Sequence, residues 1–177
     1  MKILLIASDN YSGSGAFLCL VDLCRLMENK YGHQVKVLLP YKGDGNKMLR
    51  EYDISYKMVK SFNWIIGIEE RTKIRCKVES TIKKIVNVVA IMRIATLAKK
   101  EKYDVIHINT TYSYVGAIAA KLIKCPFIWH IREFVDEQGQ QIWNREKGYK
   151  LMRNADLVIT ASKGLENKYR DLLKKII

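Results

Sequence analysis

Three short stretches of this 177-residue chain carry residue types that could do chemistry. The first is the turn Ser12-Gly13-Ser14-Gly15-Ala16. Glycines there let the backbone approach a ligand, and the helix that follows offers free N–H groups and a positive dipole end to an anion. The third position of a G-x-G-x-x-G fingerprint is Leu18, and the second strand ends Leu39-Pro40-Tyr41 without the acidic residue a dinucleotide ribose needs, so NAD binding is disfavoured. No G-x-x-x-x-G-K-[ST] occurs, which excludes a P-loop. A tight turn that needs glycine for geometry alone is an equal reading of the residues. The second stretch is His130 with Arg132 and Glu133. An imidazole gives or takes a hydrogen bond near neutral pH, although on spacing alone a core histidine is the stronger reading. Arg132 and Glu133 either contact a ligand or pair with each other at the surface. The third stretch, Asn109-Thr110-Thr111-Tyr112, together with Tyr11, either lines a ligand pocket or is ordinary loop polarity. His33 and His107 read as structural. No cysteine, histidine or carboxylate spacing suggests a metal, and no G-x-S-x-G elbow suggests a serine hydrolase.

The elements that must position these residues alternate in type. Aliphatic runs at Lys2–Ser8, Gln34–Leu39, Ile54–Val59, Asp104–Asn109, Pro126–Ile131 and Asp156–Thr160 read as strands. Helical patterns separate them: one after the glycine turn, a short one at Lys47–Tyr52, a long one from about Glu69 to Lys102, and one at Tyr112–Lys124. A polar loop and helix follow from Glu133 to Asn154, and a last helix from Ser162 to about Lys174. In the Tyr112–Lys124 helix, Gly116, Ala117, Ala119 and Ala120 permit close packing on a sheet. The expected fold is a Rossmann-like, doubly wound parallel sheet flanked by helices, one domain over 1–177. Such a sheet brings Ser8-Asp9-Asn10, Asn109-Thr110-Thr111 and His130–Glu133 to one edge, where ligands of this architecture sit.

Composition is that of a folded protein, 49% hydrophobic and 10% aromatic, but 31 bases against 18 acids give +13 and favour an anionic partner. Much of the excess lies in the long helical stretch. Trp64 with Arg71, Lys73, Arg75 and Lys77 is the expected contact with an anionic membrane surface, the second half of the stretch being apolar enough for the core. Nucleic acid is the rival anion, without a recognisable binding module. No run of 18 apolar residues would span a bilayer. The four cysteines show no C-x-x-C pair; Cys19, Cys24 and Cys125 read as buried free thiols of a reducing cytoplasm.

Several of these residues together resemble a known family. Ser14-Gly15-Ala16, Leu20-x-x-Leu23 and Gly32-His33-x-Val35-x-Val37 are similar to the opening of GT-B glycosyltransferases of family 4. Tyr103–His107, Phe127–His130 and Ala155–Ser162 resemble its later strands, in the same order. Ser14 departs from the family's first glycine, and Phe17-Leu18 from its usual polar pair. The resemblance implies the N-terminal, acceptor-side domain of a transferase, usually retaining and of the hexosyl class. His130 would face the cleft as the catalytic residue. Ser14, Gly15, Tyr11, Thr110, Thr111, Arg132 and Glu133 would contact the acceptor, a lipid-linked or polysaccharide intermediate in cell-envelope synthesis. It also implies no cofactor and no metal in this domain, a nucleotide-sugar co-substrate held by a second domain or subunit, and no activity without it. The expected place is the cytoplasm, peripheral to the inner membrane face. Two alternatives remain: a membrane-recruiting subunit of a split transferase, and a non-catalytic nucleotide-binding module.

Overall fold

The computed structural model describes residues 1–67, 74–137, 139–171 and 173, with the side chains of 74–77 left aside. Six parallel strands form the main sheet: β1 (Lys2–Ile6), β2 (Gln34–Leu39), β3 (Ser55–Met58), β5 (Val105–Ile108), β6 (Phe127–Ile131) and β8 (Leu157–Thr160). Their order is β3-β2-β1-β5-β6-β8. The winding therefore reverses between β1 and β5, where Leu4 pairs with Ile106 and Ile6 with Ile108. All six strands expected from the sequence are present and parallel.

Alternation along the strands builds two cores. Ile3, Leu5, Val35, Val37 and Val105 face α1 (Gly15–Asn29) and α2 (Gly45–Glu51), which contribute Phe17, Leu20, Val21 and Leu49. Leu4, Ile6, Ile106, Ile108, Trp129 and Val158 face the opposite way, onto α3 (Ile74–Glu101), α4 (Val115–Ile123) and α5 (Arg145–Arg153). Helix α6 (Lys163–Tyr169) joins that second core through Leu165 and Tyr169. The small-residue face of α4 seats as expected: a methyl added at Gly116 would stand 2.7 Å from Ile6 Cγ1 and 3.1 Å from Ile108 Cγ1. Ser14, Asn144 and Ser162 cap α1, α5 and α6 by accepting from the backbone N–H three residues on.

Three details differ from the sequence reading. A small antiparallel pair, β4 (Ile65–Gly67) with β7 (Gln140–Ile142), lies apart from the main sheet. Asp136, at φ 66°, anchors it by accepting from the Tyr149 hydroxyl and the Ile142 N–H and by pairing with Arg145. Cys19 is exposed, because it falls on the outer side of α1, whereas Cys24 is buried and its thiol is pushed up to about 12 by burial first and Glu28 second. The second half of α3 is not all core. Ala90, Ile91, Ile94, Ala95, Leu97 and Ala98 are buried, but Val88, Val89 and Met92 face water.

Candidate functional site

The loops after β1, β5 and β6 emerge on one edge because the three strands are parallel neighbours. His130, next to last in β6, alternates with Ile128 and so shares the face packed by α1 and α2. Gly15 opens α1 at that same edge and face. Gly15 and His130, distant in sequence, thus lie on the same edge and the same face of the sheet.

His130 does not stand alone. Its ring centroid lies 5.7 Å from that of His107 on β5. His107 is 3% exposed, with both ring nitrogens unpartnered; His130 Nδ1 and Asn109 Nδ2 are unpartnered and buried as well. Arg132 completes the group, reaching Asn109 Oδ1 at 3.5 Å. Burial first, and Arg132 second, depress His130 to about 4. Burial, then His130 and Arg132, depress His107 to about 3. At neutral pH both imidazoles are uncharged, and the positive charge of the group belongs to Arg132. Neutral nitrogens, an amide and one guanidinium around a shared edge suit a ligand rich in hydroxyls. Sequence reasoning took His107 for structural, and at 3% exposed it is a buried ring standing behind His130.

The glycine turn is less of an anion cradle than its residues suggested. Ser14 caps α1 and donates to Asp9 Oδ2 at 3.0 Å, which also accepts from Ser8 at 2.9 Å. Ser12 gives its N–H and hydroxyl to Asp44, at 3.0 and 2.7 Å, and holds that carboxyl below the usual range. Two carboxylates on the turn oppose a phosphate and suit hydroxyl donors. Gly15 has nothing within 4 Å of where a Cβ would stand, so the first turn of α1 is open to a ligand. Tyr11 is exposed at the rim, its ring over Gly13. The close backbone approach lies elsewhere: a Cβ on Gly43 would meet Asn10 O at 1.8 Å, and Asn10 Nδ2 also donates to Tyr41 O at 3.0 Å.

Thr110 and Thr111 do not line a pocket. Both are 0% exposed. Thr110 Oγ1 donates to Glu133 Oε1 at 3.1 Å, and the Thr111 N–H to Glu133 Oε2 at 2.7 Å. Glu133 is accordingly a clasp between the β5 and β6 loops, and its pairing with Arg132 is replaced by these bonds. Trp64 is corrected too. At 8% exposed it stacks on Trp129 and Tyr114 and donates to Thr111 O at 2.8 Å, so it belongs to the core and not to a membrane face. Arg71 and Lys73 lie outside the described residues, as do the side chains of Arg75 and Lys77. On the α3 side of the edge a cleft of about 170 Å³ opens among Ser8, Tyr41, Phe62, Lys83, Tyr112 and Ser113.

A six-stranded parallel sheet whose winding reverses between β1 and β5 is Rossmann-like, and it matches the N-terminal half of the GT-B fold. Residues 13–175 match the family model of glycosyltransferase family 4, and the chain belongs to that family. No curated protein matches the sequence. Among solved structures, HepE of Anabaena in complex with UDP is 18% identical over the whole chain, with a TM-score of 0.69. The apo lipopolysaccharide outer core galactosyltransferase WaaB is 14% identical over the whole chain, TM-score 0.64, and MurG of Acinetobacter baumannii is 17% identical over 91%, TM-score 0.61. The chain covers 43%, 44% and 41% of those three structures, less than half of each.

Proposed function

We propose that this chain supplies the acceptor-side half of a retaining hexosyl transfer from a nucleotide-sugar, the donor being gripped chiefly by a second domain or subunit. The observation that carries this reading is the pairing of an open α1 terminus at Gly15 with His130 and Arg132 on one sheet edge, in a chain of this family. HepE, solved with UDP-glucose, supports the donor class. Asp9 and the Ser12–Asp44 pair would receive acceptor hydroxyls, with Tyr11 as a rim contact. The neutral His130 ring would hydrogen-bond the sugar being transferred, and Arg132 would offset negative charge on the departing phosphate. A lipid-linked or polysaccharide acceptor at the cytoplasmic membrane face fits the hydroxyl-seeking turn.

The test is transfer from radiolabelled nucleotide-sugars to lipid-linked acceptors, run with the chain alone and with a donor-domain protein added. No turnover is expected from the chain alone; turnover by the 177 residues would overturn the division of labour. Calorimetry separates the remaining alternative. Tight nucleotide binding by the isolated chain would make it a nucleotide-binding module instead.

A further inference from the structure

Helix α3 presents to water an apolar stripe that its packing on α4 leaves uncovered. Val78, Ile82, Ile85, Val89 and Met92 recur at steps of four and three residues with Val88 beside them, and all six are between 47% and 62% exposed. The reverse side of the same helix is already satisfied, by Ala90, Ile91, Ile94 and Ala98 in the core and by Asn87, which holds the Phe62 N–H at 2.8 Å. Scattered apolar residues need no explanation, but a contiguous row four turns long does.

The charge around the row says what covers it. Within the Val78–Met92 stretch Glu79 is the single acidic residue, and from Ser80 to Lys100 the helix holds none, against Lys83, Lys84, Arg93, Lys99 and Lys100. Arg93, Lys99 and Lys100 are exposed near its end, Arg75 and Lys77 precede it in sequence, and the whole chain carries +13. We infer that the Val78–Met92 stripe docks α3 flat on an anionic phospholipid surface, its side chains among the acyl chains and its bases among the headgroups. Among the described residues no helix is long and apolar enough to cross a membrane, so α3 lies in the interface plane. A second copy of the chain is the poorer occupant. The row covers only two heptads, short of a sustained coiled-coil seam, and pairing would face one basic rim with another.

The surface is a different one from the Trp64 region that the sequence pointed to. It also lies next to the candidate site, since Lys83 of α3 lines the cleft with Ser8 and Tyr112. A docked α3 would hold that cleft at headgroup height, where a lipid-carried acceptor arrives; this last clause rests on the transferase reading, and the docking does not.

Sedimentation of the full chain with vesicles of phosphatidylcholine, alone or with about one-third phosphatidylglycerol, tests the inference. Binding is expected to the anionic vesicles, several-fold weaker to the neutral ones and weakened by salt. The double variant Ile82→Ser with Ile85→Ser, both solvent-facing, should lower partition about 30-fold. Lys99→Gln with Lys100→Gln, a change that leaves packing alone, should lower it several-fold. Circular dichroism would check that both variants keep the wild-type fold. Wild-type protein left in the supernatant, equal binding to both vesicle types, or unchanged partition of the serine variant would each overturn it. So would a dimer in sedimentation equilibrium that the serine variant abolishes while vesicle binding persists. None of these outcomes reads sugar transfer, so the two proposals fail separately.

Discussion

Replacing His107 by methionine should flatten the acid limb of the protein's stability. In the folded chain His107 titrates at about 3 and His130 at about 4, against 6.5 for a free imidazole. The unfolded chain therefore binds more protons between those values. The stability held by the two neutral rings is fully present above about pH 6.5 and is lost as pH falls toward the folded values. At about pH 5 the loss is ~2 kcal/mol for His107, and somewhat less for His130, which is partly open to water. A combined loss of ~3–4 kcal/mol is a large fraction of a domain's 5–15 kcal/mol. Methionine has similar bulk and no proton to bind, so His107→Met should lose only the His130 share, ~2 kcal/mol or less over the same range. At neutral pH it should equal or exceed the wild type, because it removes two buried nitrogens that have no partner. Urea unfolding followed by circular dichroism at a series of pH values gives both curves. Parallel curves for variant and wild type would refute the buried, neutral state assigned to His107.

Two further outcomes follow from the loops. Gly43→Ala should cost at least ~2 kcal/mol, since its methyl meets the Asn10 carbonyl, whereas Gly15→Ala should leave the thermal midpoint unchanged or slightly raised; the reverse ranking would contradict the packing at both turns. Glu133→Ala should cost ~1–3 kcal/mol by stranding the buried Thr111 N–H, read as a shifted urea midpoint with an unchanged slope.

The strands were legible because burial on both faces leaves near-continuous aliphatic runs, as in Lys2–Ile6 and Val105–Ile108. The shared edge followed from their parallel order. What escaped was pairing between distant residues. Three-residue strands such as Ile65–Gly67 and Gln140–Ile142 carry too little periodicity to announce themselves, and only their meeting makes them a ladder. Thr110 and Thr111 read as pocket residues because hydroxyls in a loop normally face water; one carboxylate from the next loop, Glu133, drew them inside. Trp64 sits beside a basic stretch in sequence, yet Trp129 and Tyr114 receive its ring. The apolar row on α3 was visible as composition, but which side of the helix α4 would take was not.

The contact between Asn10 and the Gly43–Gly45 segment that leads into α2 bears on how this scaffold can be altered. Asn10 O stands where any Cβ at Gly43 would go, accepts from the Gly45 N–H at 3.4 Å, and its side-chain amide reaches Tyr41 O. The segments following β1 and β2 are consequently one mechanical piece, and neither can be lengthened, swapped or redesigned for a new specificity without its companion. Chimaeras that transplant both at once should assemble, and those that graft a single loop should misfold at the seam.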